Sequence, residues 1–377
     1  MMVPQERAGA ILTIDLEAIV ENWRLLSARL GEAACGAVVK ADAYGLGACR
    51  VAAALEAAGC RSFFVALLDE GVALRKALSA GSRIFVLNGT PQGMEGDFIA
   101  ARLIPVVNTL GELAAWQERA RAAGCFLPVA LQVDSGMSRL GLAPSDAEKI
   151  WNDPSLLDGL SIELVMSHLA CADEPGHPAN EAQRKNFERL RAVLPAAPAS
   201  LANSSGIFLG APYHYEVARP GAALYGINPT SSCENPMRPV IRLSARVIQI
   251  RDIPEDTAIG YGQAAMTQRA SRLATISLGY ADGWPRNAAA AAFYQGVRLP
   301  FAGRVSMDSI ILDITDGARQ PREGDMVDLI CEEQKVDDVA RAAGTIGYEI
   351  LTRLGRRFHR RYIDTNAGPV SVDDFKE

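Results

Sequence analysis

No window of the 377-residue chain approaches the ~18 continuous apolar residues of a membrane-spanning helix. The opening segment, MMVPQERAGA, lacks an apolar core of signal-peptide length. Positive charge is not in excess: 38 Lys and Arg face 44 Asp and Glu, and the net charge of −6 argues against a nucleic-acid surface. The densest basic cluster, RLGRRFHRR at 353–361, reads as a solvated helix end. The seven cysteines are scattered, odd in number and form no CxxC pair, so neither a disulfide framework nor a zinc site is suggested. They read as small buried or half-buried residues in a reducing cytoplasm. GLGACR at 45–50 lacks the third glycine of a dinucleotide-binding turn, which weighs against an open doubly wound sheet.

What is present is a repeating alternation. Between residues 35 and 228 about eight short apolar runs occur: GAVVK, SFFVALL, RIFVLN, LIPVVN, LPVALQVD, SIELVMSH, ASLANS and YEVARPG. Stretches with helical spacing separate them, such as ACRVAAALEAAG and TLGELAAWQERARAAG, often ending in Gly. Continuous apolar strands covered by helices indicate a parallel sheet, and about eight such units indicate a closed barrel. The fold class is therefore α/β: a (β/α)8 TIM-like barrel over residues 12–230, then a mostly β domain over 240–377. A Pro/Ser/Asn-rich linker, PTSSCENPMRP, separates them. In the second domain IRLSARVIQI and RLATISLGY alternate with period two, and one helix is expected near 336–354. The alternating segment within residues 1–16 is open to pairing with either domain.

In such a barrel chemistry sits at the C-terminal ends of the strands. There the chain places Lys40, Asp134 with Arg139, His168, Asn203-Ser204-Ser205, and Arg219-Pro220-Gly221. A lysine against apolar walls can serve as an amine nucleophile. Two further cations and Ser/Gly turns suit a phosphate. Together they suit a carbonyl cofactor bearing a phosphate, namely pyridoxal 5′-phosphate (PLP). His177, His214 and His359 read as packing residues, and no metal set is evident.

Eight motifs resemble, in order, those of the alanine racemase family, the fold-type III PLP enzymes: VVKADAYGLG, VDSGMSRLG, MSHLACADE, LANSSG, ARPGAALYG, SLGYADGWPR, GRVSMD and GTIGYEIL. The resemblance runs from TIDLEAIVENWR nearly to the C-terminus. It implies a homodimeric cytoplasmic isomerase that interconverts L- and D-alanine, the alternative being a racemase of broader specificity on the same scaffold. It implies that Lys40 carries PLP and acts as one base, while Tyr280, supplied across the dimer interface, acts as the other. His168 backed by Arg219 would help Tyr280, and Arg219 would face the pyridine nitrogen. Asn203 would join the cofactor contacts, with Tyr44, Ser204, Gly221 and Tyr348 as the phosphate set. Arg139 and the Met307 backbone would hold the substrate carboxylate, and Asp173, Arg304 and Ile346 match positions lining a narrow substrate corridor.

One position departs from the pattern. Gln132 stands where many members carry a carbamylated lysine, and an amide takes up no CO₂. It could instead hydrogen-bond the Arg139 guanidinium. Racemisation is accordingly expected to be unchanged in bicarbonate-free buffer. A reversible loss of rate on removing CO₂ would contradict this reading of Gln132.

Overall fold

The computed structural model describes residues 4–364. Its contacts divide the chain into two units, residues 19–237 and residues 4–18 together with 238–364.

The first unit is a parallel barrel. Seven strands pair in sequence order: Ala37–Val38, Ser62–Val65, Arg83–Val86, Ile104–Val107, Leu127–Gln132, Leu160–Met166 and Ala199–Ser200. The eighth, Val217–Ala218, pairs in parallel with Ala34–Cys35. Backbone bonds from Glu216 N to Ala199 O (3.2 Å) and Arg219 N to Ala202 O (2.9 Å) join it to the seventh strand. Bonds from Gly36 N to Ala218 O (2.9 Å) and Val38 N to Pro220 O (2.8 Å) join it to the first, closing the ring. Strands such as Ser62–Val65 and Ile104–Val107 are buried along their whole length, as expected when both faces are covered.

The intervening helices carry their own stop and start signals. Leu110–Ala123 begins at Thr109, whose hydroxyl accepts from Glu112 N (3.1 Å) while the Glu112 carboxylate accepts from Thr109 N (3.2 Å). It ends at Gly124 with φ +65°. The last two strands depart from the expected alternation. They are followed by the 3₁₀ turns Ser205–Leu209, Ala211–Tyr213 and Ala222–Tyr225 rather than by full helices.

The second unit is built on a sheet with the order Val297–Pro300, Ala291–Tyr294, Met326–Ile330, Ile241–Ile253, Ala10–Asp15, His359–Ile363. Ile241–Ile253 also pairs with Ser271–Ile276, which pairs with Ile310–Asp313. The alternating N-terminal segment thus joins this unit, antiparallel to Ile241–Ile253 and parallel to His359–Ile363.

Three sequence expectations need correction. The single helix near 336–354 is two helices, Val336–Ala343 and Gly347–Arg353, broken where Gly344 adopts φ +69°. The basic cluster at 353–361 is a helix end only at Arg353. Its later residues enter a strand, where Arg361 donates to the Thr13 hydroxyl at 2.9 Å. Of the cysteines, all free, Cys125 and Cys233 are exposed rather than covered. Among the described residues no helix is long and apolar enough to cross a membrane.

Phe64 tests the barrel packing. It is fully buried and stacks on Phe85 with ring centroids 4.8 Å apart, and a Cβ at Gly36 would come within 2.8 Å of its ring. Phe64→Ala is expected to lower stability by about 3–5 kcal/mol, read from the urea midpoint. A loss below about 1 kcal/mol would contradict a close-packed interior.

Candidate active site

Lys40 follows the first barrel strand at the start of an unusual turn. Ala41, Asp42, Ala43 and Tyr44 all have φ between +51° and +55°, so four consecutive L-residues form one left-handed helical turn. Each such residue costs roughly 1–2 kcal/mol, so the turn exists only because surrounding groups impose it. Those groups are identifiable. The Glu70 carboxylate accepts from Ala41 N at 2.7 Å, and Asp42 Oδ1 accepts from Ala48 N at 2.8 Å. Gly45 and Gly47, at φ +82° and +97°, carry the chain out.

Across the ring, Arg219 is 3% exposed. Its guanidinium donates to Ser167 O (2.6 Å), to Ser200 Oγ, and towards His168 Nδ1 (3.4 Å). Burial pushes Arg219 down to about 9, which leaves it charged at neutral pH. Burial, with the charges of Arg219, Arg139 and Lys40 nearby, pushes His168 down to about 3, so its imidazole is neutral. Lys40 is also lowered, first by burial and then by Arg139 and Arg219, with Glu70 opposing them.

Gly221 and Ser204 form a cradle. The Ser204 hydroxyl oxygen accepts from Gly221 N (2.9 Å) and Ala223 N (3.1 Å), which leaves its own proton to donate. Asn203 Oδ1 accepts from Gly206 N at 2.9 Å, shaping the same turn. A Cβ at Gly221 would collide with the Tyr44 hydroxyl, so only glycine allows that approach. The Tyr44 ring lies 4.7 Å from that of Tyr225, whose hydroxyl donates to Val38 O (2.9 Å).

Arg139 is presented by a loop folded around Asp134. The Asp134 carboxylate accepts from Gly136, Met137 and Ser138 N at 2.9–3.1 Å. Gly141, at φ +114°, lets the loop return against the strand, where a Cβ would stand 2.8 Å from Asp134 N. Arg139 itself is exposed and has no hydrogen-bond or ion-pair partner among the described residues. The suggested bond from Gln132 is not formed: Gln132 is buried, and its amide does not reach the guanidinium.

The remaining predicted residues lie in the second unit, where two of them share a seat. Tyr280 N donates to Ser306 O (3.1 Å) and Ala281 N to Met307 O (2.9 Å). A Cβ at Gly279 would strike the carbonyls of Ser306 and Met307, and one at Gly283 (φ +96°) would strike the Arg353 carbonyl. Asp282 ties the turn down, accepting from Gly279 N (2.9 Å) and pairing with Arg357 (3.1 Å), which also reaches Asp308 (2.8 Å). Tyr280 is 40% exposed, Met307 52%, Ile346 61% and Tyr348 38%. Arg304 lies against the turn of Gly260 and Gly262, beside Tyr261.

Asp173 stays in the barrel unit, its carbonyl accepting from Ser231 N at 3.2 Å. His177 accepts from Ala179 N as a helix cap, and His214 bonds the Ile207 carbonyl. Both fit the packing reading.

Sequence reasoning missed the residues that orient the others: Glu70, Ser167, Ser200 and Gln183. The Gln183 amide clamps the loop after His168, donating to His168 O (3.0 Å) and accepting from Ala170 N (2.9 Å). Glu70 and Gln183 lie outside the motifs, while Ser167, within MSHLACADE, acts through its backbone carbonyl, which residue type does not reveal. The barrel rim gathers three cations, a neutral imidazole and the Ser204 hydroxyl proton. Glu70 is a carboxylate acting on Lys40, but its oxygens are committed to amides. Such a rim calls for an anionic ligand.

Comparison with known proteins agrees. Models of the alanine racemase N-terminal and C-terminal domains match residues 14–229 and 240–362. A catabolic alanine racemase of Mesorhizobium japonicum is 61% identical over 364 residues, covering 96% of this chain and 95% of that protein. The alanine racemase of Rhodospirillum rubrum is 47% identical over 362 residues, covering 95% and 97%. The crystal structure of Bartonella henselae alanine racemase with covalently bound pyridoxal phosphate aligns with TM-score 0.91 and 42% identity, covering 94% of this chain and 100% of that one.

The neutral state of His168 gives a pH prediction. Its folded-state value lies below the unfolded one, so the unfolded chain binds the extra proton. The associated stability is present above about pH 6.5 and is lost as pH falls towards 3. Wild-type protein should therefore lose about 1 kcal/mol more than His168→Asn between pH 6.5 and 5.5, by urea unfolding. Parallel curves for the two would refute a neutral imidazole at His168.

Proposed function

Because the chain belongs to the alanine racemase family, we propose that it interconverts L- and D-alanine with pyridoxal 5′-phosphate held on Lys40, with Lys40 and Tyr280 as the two acid–base groups. The observation that carries this reading is the cationic rim of Lys40, Arg139 and Arg219, in which Arg219 meets only neutral acceptors and Arg139 has no ion-pair partner among the described residues. The residues fit the cofactor. Ser204, Gly221 and Tyr44 supply a hydroxyl proton, a position open only to glycine and a phenol for the phosphate. Arg219 supplies a fixed donor for the ring nitrogen, and Asn203 shapes the cradle. When bound, pyridoxal phosphate supplies a carbonyl for the lysine amine and a conjugated ring that draws electrons away from the substrate's Cα–H bond.

The protein's groups do the rest. A lowered Lys40 amine spends more of its time unprotonated, as both a nucleophile and a base require. An arginine does not give up its proton, so Arg219 donates to the ring nitrogen without protonating it. That weakens the ring as an electron sink and restricts side reactions such as transamination. A neutral His168 hydrogen-bonds without adding charge, and Arg139 offers its unpaired guanidinium to the substrate carboxylate. Tyr348 is assigned to the phosphate and the Met307 backbone to the carboxylate.

Inverting a carbon requires proton removal on one face and delivery on the other, so two acid–base groups are needed. Tyr280 is assigned as the second, supplied by another copy of the chain in a homodimer. Its exposure beside Met307, with Tyr261, Ile346 and Tyr348 also exposed on that unit, suits an interface rather than open solvent. The free cysteines suit a reducing compartment, and we place the enzyme in the cytoplasm.

The test is incubation of PLP-loaded protein with L-alanine in D₂O, following optical rotation and deuterium at Cα. Loss of rotation with deuterium incorporated is expected. Lys40→Ala should abolish both, and Tyr280→Phe should slow racemisation by roughly 10²–10⁴-fold. Full racemisation by either variant would refute the two-base assignment. Failure of alanine alongside turnover of other amino acids would point to a racemase of different specificity.

A further inference from the structure

Glu70 lies in the first turn of the helix Leu68–Ala77. One of its oxygens does ordinary capping: Oε2 accepts from Ala66 N (2.7 Å) and Leu67 N (3.1 Å). The other oxygen is used elsewhere. Oε1 accepts at 2.7 Å from Ala41 N, 29 residues away and directly after Lys40. The turn's own backbone bonds begin only at Ala43, whose N–H reaches Val39 O (2.9 Å). Ala41 is the first left-handed residue of the turn. Without Glu70, the amide that starts the strained segment would lose this acceptor.

We propose that Glu70 is a positioning residue: by holding the Ala41 amide it fixes the left-handed turn behind Lys40, and with it the direction in which the Lys40 amine meets the cofactor. This rests on the assignment of Lys40 as the cofactor lysine. The same carboxylate bridges two neighbouring strand ends of the barrel, those before Lys40 and before Leu67, so it registers one against the other. Its charge also acts on Lys40, opposing the effect of burial and of Arg139. A carboxylate suits the task better than an amide. Three N–H donors converge on two acceptor oxygens, whereas glutamine would turn an NH₂ towards one of them.

The experiment compares the PLP-loaded wild type with Glu70→Ala and Glu70→Gln. Three quantities are read: hydrogen exchange at the Ala41 amide, release of cofactor into excess hydroxylamine by absorbance, and kcat and KM for alanine at saturating PLP. Glu70→Ala should raise Ala41 exchange and cofactor release at least tenfold and lower kcat at least tenfold. KM should stay within about twofold, because the carboxylate-binding groups are untouched. Glu70→Gln should fall between the two, and it decides the matter if the alanine variant does not fold. Unchanged Ala41 exchange would overturn the proposal. So would faster exchange with unchanged cofactor release and kcat, which would make Glu70 merely structural. Lys40→Ala is the control for the underlying assignment. If it holds cofactor as firmly as the wild type, Lys40 is misassigned, and the exchange result at Ala41 stands apart from that failure.

Discussion

Arg219 is 3% exposed and meets a carbonyl, a hydroxyl and an imidazole nitrogen, but no carboxylate. An unpaired buried cation is costly, and the barrel meets that cost with neutral acceptors instead of a counter-charge. The other groups at the rim adjust to it. Burial and then the neighbouring guanidinium keep His168 from becoming a second cation, and the Lys40 amine is lowered by the combined effect of burial, Arg139 and Arg219. A carboxylate in place of Ser200, whose hydroxyl the guanidinium meets, would counter that charge and ease its effect on His168 and Lys40. The positive character of the rim therefore follows from what the barrel withholds from Arg219 as much as from the cations it displays.

Much of this was legible in the sequence because it depends on residue type and order. Short apolar runs such as SFFV and IPVV, set between helical stretches, read as strands covered on both faces, and their number and spacing indicate a barrel. Lys40, His168 and Arg219 stand out because polar residues at the ends of such runs project at one rim. What stayed hidden depends on backbone geometry and distant partners. Nothing in KADAY marks four left-handed residues, since alanine and tyrosine disfavour that conformation and only tertiary contacts impose it. Glu70 looks like a helix-capping glutamate, and half of its function is that. The helix expected at 336–354 breaks at Gly344 because a glycine inside an apolar periodic stretch can be tolerated or can end it, and pattern alone does not decide.

The second unit solves a different problem, that of fixing the backbone beneath an exposed tyrosine. Tyr280 is seated by bonds from its own and the next amide to the Ser306–Met307 backbone, and by glycines on both sides where no side chain fits. Asp282, with Arg357, locks the turn from beneath. The motif SLGYADGWPR is thus largely a mounting, in which the glycines allow close approach and the aspartate closes the loop.

The left-handed turn at Lys40 has a consequence for when its amine takes its final direction. Four L-residues there adopt the backbone that their mirror images would prefer, so local preference opposes the turn throughout its length. It forms only once the strands, glycines and carboxylate around it are in place. A fragment or a partly assembled chain therefore carries the same lysine in a different and variable direction. Competence to present that amine is a property of the completed barrel, and the strained turn acts as a check that assembly has finished.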